Sequence, residues 1–127
     1  MLPKLPVICV VDDDMAVRNA LKFALEIEGL DVRAYDGPVS LLNDPNLPPS
    51  GCLVVDYRMP VMDGLELIGV LRSRGVDAPA ILITGTGRAD KELRAQAQKL
   101  NVEFVLEKPL PGNALLDSIR SALARAR

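Results

Sequence analysis

The sequence predicts a doubly wound α/β domain, and three observations carry that prediction. Short apolar runs of four or five residues alternate with amphipathic stretches, the runs mostly lack period-two alternation, and the connections between them are short. Parallel strands are joined almost always by right-handed crossovers, so this order builds a parallel sheet with helices on both faces. With 127 residues, 49% hydrophobic and 25% charged, the chain suits one domain with a core and leaves no room for a second.

The first strand is expected over residues 7–11, as a run buried on both faces. Asp14 then caps a helix whose apolar positions Val17, Ala20, Leu21, Ala24 and Ile27 follow a 3.6-residue period, and Gly29 stops it. A second strand, 32–35, completes a βαβ unit. A short helix near 38–42 leads into a proline-rich loop over 43–50. The third strand, 52–55, precedes a helix over about 64–74 with Leu65, Leu67, Ile68 and Leu71 apolar. The fourth strand, 80–84, precedes a polar helix over about 90–100. The fifth, 104–106, precedes a helix over about 113–126 that carries Leu115, Leu116, Ile119, Ala122 and Leu123.

Composition excludes several functions. Fifteen basic against 17 acidic residues give a net charge of −2, without the overall basic field that direct nucleic-acid binding needs. The chain has no histidine, which removes histidine-based nucleophile pairs, general bases and zinc sites. Charge is unevenly placed: residues 1–87 hold 7 basic and 12 acidic side chains, and residues 88–127 hold 8 and 5. Cys9 and Cys52 lie inside apolar runs and read as packed thiols of a reducing compartment. No run approaches the roughly 18 apolar residues of a membrane span, and the first residues lack a secretory pattern. A soluble cytoplasmic protein without membrane contact is expected.

In doubly wound sheets, ligands bind outside the carboxyl ends of the strands. There the sequence places Asp12, Asp13 and Asp14 after the first strand, Asp56 after the third, Thr84 after the fourth and Lys108 with Pro109 after the fifth. Carboxylates crowded in a low-dielectric pocket repel unless they protonate or a cation neutralises them. An all-oxygen set suits Mg²⁺, or Mn²⁺ as a second option. The Thr84 hydroxyl and Lys108 ammonium suit phosphoryl oxygens beside that metal, so the pocket reads as one for phosphoryl transfer. Asp14 is accounted for by capping.

The segments VICVVDDD, VVDYRMPVMDGLEL, ILITGTG and LEKPL, with Pro60 four and Gly64 eight residues after Asp56, resemble bacterial two-component response-regulator receiver domains over essentially the whole chain, 1–127. Arg58-Met59-Pro60 and Thr84-Gly85 are most similar to receivers of the nitrogen-fixation-regulator type. The resemblance implies a flavodoxin-like sheet of strand order 2-1-3-4-5 with five helices. It implies that Asp56 accepts phosphate from a kinase phosphohistidine, with Mg²⁺ held by Asp12, Asp13, Asp56 and the backbone carbonyl of Arg58. Thr84, Gly85 and Lys108 would then bind the phosphoryl group, and Pro109 would follow a cis peptide. It also implies a sensor histidine kinase or phosphotransfer protein as donor. An output domain or partner, with homodimerisation, would use the face of the fourth helix, fifth strand and fifth helix, where Arg94 and Lys99 contribute basic charge. Arg58 and Thr86 stand where the family sets phosphoaspartate lifetime.

The sequence departs from the family at the switch aromatic. The position three before Lys108 is Val105, Phe104 lies four before, the interval from Thr84 to Lys108 is two residues longer than the family's, and KLNVEF replaces an Ala-Gly-Ala-like turn. Either a bulge lets Phe104 follow Thr84, or the fourth helix is altered and the aromatic switch weakened; the second is the preferred expectation. Two other readings are a non-phosphorylated interaction module and a haloacid-dehalogenase-type phosphatase using Asp12 and Asp14. The phosphatase signature lacks Thr or Val at Ala16, and Gly85-Thr86-Gly87 is a weak basis for dinucleotide binding.

Overall fold

A computed structural model describes residues 6–47, 51–85, 87–110 and 112–125. Five strands alternate with five helices: β1 (Val7–Val11), α1 (Met15–Ile27), β2 (Asp31–Tyr35), α2 (Pro38–Leu42), β3 (Gly51–Asp56), α3 (Gly64–Ser73), β4 (Ala80–Thr84), α4 (Lys91–Lys99), β5 (Val102–Glu107) and α5 (Ala114–Arg125). All pairings are parallel, in the order β2-β1-β3-β4-β5, as expected from the resemblance.

The sheet separates two apolar layers. Cys9, Val11, Leu53, Val55 and Leu82 pack on the side of α2, α3 and α4. Ile8, Val10, Cys52, Val54, Ile81 and Ile83 pack against α1 and α5 on the other side. The two thiols thus face opposite layers. Burial pushes Cys9 up to about 11 and Cys52 up to about 12, which keeps them protonated and inert.

Only the central strands are buried on both faces as the sequence suggests. Asp31 and Arg33 of the edge strand β2 are exposed, and every residue of β5 is partly exposed. The expected inner face of α1 is also corrected. Leu25 is its one buried residue, flanked by half-buried Val17 and Leu21, while Ala20, Ala24 and Ile27 face solvent. Two apolar stripes coexist on this helix, and the one through Val17, Leu21 and Leu25 meets the sheet; periodicity marks both equally.

β5 carries an irregularity that the sequence does not announce. Ala80 pairs with Val102 but Ile81 pairs with Phe104, so Glu103 is an extra residue, a β-bulge. Val102 and Val105, three residues apart, therefore pack on the same face, whereas Phe104 and Leu106 pack on the other. Ahead of β5, Asn101 turns the chain at φ +58, a conformation Asn tolerates without glycine. Gly51 opens β3 at φ +144, where a Cβ would stand 1.9 Å from the Val7 carbonyl oxygen, so only glycine lets β3 start beside β1.

Candidate functional site

The carboxyl edge of the sheet gathers the candidate residues. Asp12 leaves β1 buried, and its Oδ1 accepts the Asp14 backbone N–H at 2.9 Å. The Arg18 guanidinium donates to the Asp12 carbonyl at 2.8 Å and ties α1 to this turn. Asp56 ends β3, buried as well, while Asp13 is exposed. One carboxylate oxygen from each of Asp12, Asp13 and Asp56 lies within 4.8 Å of the others. Across from them, Lys108 Nζ stands 3.3 Å from Asp56 Oδ1.

Burial raises the pKa of both inner acids, and for Asp56 the neighbouring Asp12 raises it further while Lys108 opposes the shift. A divalent cation bound among these oxygens would relieve this repulsion. The donors are oxygens only, since the chain has no histidine and both thiols lie within the apolar layers, so the set fits a hard ion such as Mg²⁺.

The loop leaving Asp56 is shaped by backbone contacts. Tyr57 N–H donates to the Ile83 carbonyl and Gly64 N–H to the Tyr57 carbonyl at 2.7 Å. A Cβ on Gly64 would lie 2.6 Å from the Asp56 carbonyl oxygen, so glycine at this position lets α3 begin against the acceptor strand. Asp63 and Glu66 form a reciprocal capping box that starts α3. Together these place an open cleft of about 390 Å³, lined by Asp12, Asp13, Asp14, Asp56, Tyr57, Arg58, Gly85, Arg88 and Lys108.

Most sequence candidates meet in this cleft, with specific exceptions. Thr84 is fully buried and is not among its lining residues; its hydroxyl donates to the Gly85 carbonyl at 3.4 Å. Asp14 lies at the rim but its carboxylate accepts Ala16 and Val17 N–H groups, the capping role, which occupies the acid that the phosphatase reading requires. The Lys108–Pro109 peptide is cis. Thr86 lies outside the described residues.

The bulge leaves the two switch candidates of β5 on opposite faces of the sheet. Phe104 packs in the α1 and α5 layer, with the Arg125 guanidinium 5.8 Å from its ring centroid, while Val105 faces the layer of Leu93 and Ala97 from α4. The helix α4 itself keeps its expected place, capped by Asp90. Tyr57 and Arg88 are site residues that sequence reasoning missed. Both also line a second cleft of about 260 Å³ with Asp90, Glu92, Leu93 and Gln96. Their positions beside Asp56 and in the turn after Thr84 were the available signals.

A parallel sheet whose carboxyl edge collects three aspartates and one lysine is an arrangement suited to a phosphoryl group beside a divalent cation. The chain belongs to the response regulator receiver domain family, whose description matches residues 8–120. The transcriptional regulatory protein FixJ of Azorhizobium caulinodans is 41% identical over 118 residues, covering 92% of this chain and 54% of that protein. The C4-dicarboxylate transport transcriptional regulatory protein DctD of Pseudomonas aeruginosa is 41% identical over 116 residues, covering 91% of this chain and 25% of that protein. Among solved structures, full-length FixJ from B. japonicum superposes with a TM-score of 0.86 at 34% identity, over 98% of this chain and 61% of that one. The structure of FixJ-N does so at 0.84 and 31%, over 96% of both. The likeness to nitrogen-fixation-type regulators therefore stands. The chain spans between a quarter and about half of these two curated relatives. No helix among the described residues is long and apolar enough to cross a membrane.

Proposed function

We propose that Asp56 is the phosphoacceptor of a receiver that comprises residues 1–127. The observation that carries this reading is the convergence of Asp12, Asp13 and Asp56 within 4.8 Å, with Lys108 3.3 Å from Asp56. An Asp56 carboxylate oxygen attacks phosphorus in line, an O–P bond forms, and the P–N bond of a donor phosphohistidine breaks, its electron pair leaving with the imidazole. Lys108 favours the ionised Asp56 that attack requires and then neutralises phosphoryl oxygens. Asp12, Asp13, Asp56 and the Arg58 carbonyl would hold Mg²⁺, which supplies charge neutralisation for the same oxygens. The Gly85 amide is at hand in the cleft, and the Thr84 hydroxyl joins by leaving the Gly85 carbonyl.

The histidine belongs to the donor, a sensor kinase or phosphotransfer protein, in a cytoplasmic setting that keeps Cys9 and Cys52 reduced. Arg58, exposed at the cleft, tunes hydrolysis. The α4, β5 and α5 face, with Arg94 and Lys99 exposed, meets an output domain, a partner or a second copy.

Incubation with acetyl phosphate and Mg²⁺ should add one phosphoryl mass to the chain, lost in Asp56→Asn and in the presence of a chelator. Labelling that survives Asp56→Asn assigns the phosphate to another residue and removes the reading; no labelling in the wild type removes it and leaves the non-phosphorylated interaction module.

A further inference from the structure

The connection from Thr84 to α4 is held by a side chain assigned no role so far. Glu107, the last residue of β5, is the cross-strand partner of Thr84. Its two carboxylate oxygens accept the backbone N–H groups of Gly87 at 3.4 Å and Ala89 at 3.2 Å. From the other side, Arg94 Nε donates to the Ala89 carbonyl at 3.1 Å, so the residue before the Asp90 cap is tied to both β5 and α4. Within the loop, Arg88 N–H donates to the Gly85 carbonyl at 3.1 Å, a direct link between the segment of Gly87 and Ala89 and Gly85. The next residue, Lys108, donates its N–H to the Thr84 carbonyl at 2.8 Å and reaches Asp56 with its ammonium. Two consecutive residues thus hold, respectively, the loop and the acceptor.

We infer that Glu107 is a positioning residue that sets the Gly85 amide and Thr84 for phosphoryl capture by hydrogen-bonding the Gly87 and Ala89 amides. The inference rests on Asp56 being the phosphoacceptor. It assigns to a carboxylate the control of this loop in a chain where Val105, facing α4, has neither ring nor hydroxyl to follow Thr84. Both bonds lie at or beyond the long end of the usual range, so they order the loop without locking it.

The test compares Glu107→Met, which keeps side-chain length, with Glu107→Gln, whose amide oxygen still accepts one N–H. Thermal melts verify folding. Three readouts follow: amide hydrogen exchange at Gly87 and Ala89 without phosphoryl donor, the acetyl phosphate labelling rate of Asp56, and beryllofluoride affinity with Mg²⁺. Glu107→Met should expose both amides and weaken beryllofluoride binding roughly tenfold, the worth of one or two hydrogen bonds, while Glu107→Gln stays within about threefold of the wild type. Wild-type affinity in Glu107→Met overturns the inference. Equal impairment of the two variants also overturns it, because that pattern assigns the effect to charge. A wild type that takes neither acetyl phosphate nor beryllofluoride overturns the phosphoacceptor reading, and this one with it.

Discussion

The Lys108 ammonium lies 3.3 Å from Asp56, yet burial and the neighbouring Asp12 still make Asp56 hold its proton more tightly than an ordinary aspartate. A folded-state pKa above the unfolded value means that the native state binds more protons in the interval between them. Stability therefore falls as pH rises from the ordinary carboxylate range, about 4, through the folded value, and stays reduced above it. Asp56→Asn and Asp12→Asn should each melt several degrees above the wild type at neutral pH in chelator. The gain should shrink as pH falls from the folded value toward the ordinary carboxylate value, and be gone below it. Mg²⁺ should raise the wild-type melting temperature more than that of either variant. Coincident wild-type and variant melts across this range contradict the repulsion.

Gly64→Ala places a methyl group 2.6 Å from the Asp56 carbonyl oxygen and 2.8 Å from Leu82 Cδ1. Backbone cannot yield as a flexible side chain does, so the cost should be about 2 kcal/mol in denaturant unfolding, with slower acetyl phosphate labelling as β3 shifts.

Val61 is 85% exposed and adopts φ +77, within a three-residue turn closed by Met62 N–H on the Pro60 carbonyl at 2.9 Å. A β-branched residue is strained there. Val61→Gly should stabilise the domain by roughly 1 kcal/mol, the relief of left-handed strain less the added freedom of the unfolded chain. Urea unfolding measures it, and a destabilised variant counts against the strain.

The Arg72 guanidinium donates to four carbonyls, those of Leu100, Val76, Ala78 and Asn101, at 2.9, 3.0, 2.6 and 3.2 Å. It joins the end of α3 to the turn before β5. Arg72→Met should cost about 3 kcal/mol, because several partly buried acceptors lose a charged donor at once. Arg72→Lys should recover only part of this, since an ammonium lacks the planar fork. A Lys variant as stable as the wild type shows that charge alone suffices.

Residues whose role is local were legible in the sequence. Asp14 as a cap, the strand of residues 80–84, the short helix Pro38–Leu42 and the strand-end acids all follow from adjacent residues and period. Those decided by partners distant in the chain were not. Arg72 reads as an ordinary surface cation until Leu100 is beside it, and Glu107 reads as a solvated acid until Ala89 arrives. The inner face of α1 was ambiguous for the same reason, since Ala20, Ala24 and Ile27 match the helical period as well as Leu21 and Leu25 do. The placement of Phe104 depended on a bulge that only pairing with β4 reveals.

The bulge at Glu103 also bears on how this chain tolerates changes of length. It lies upstream of Phe104, whereas the residues from Phe104 to Glu107 pair with β4 in unbroken register. A descendant without Glu103 keeps Glu107 and Lys108 on their present faces, and only Val102 and the turn before it must readjust. Insertions and deletions at the start of β5 are thereby absorbed before they reach the end of the strand, and the α4–β5 turn can drift through evolution while the chemistry beyond it stays in frame.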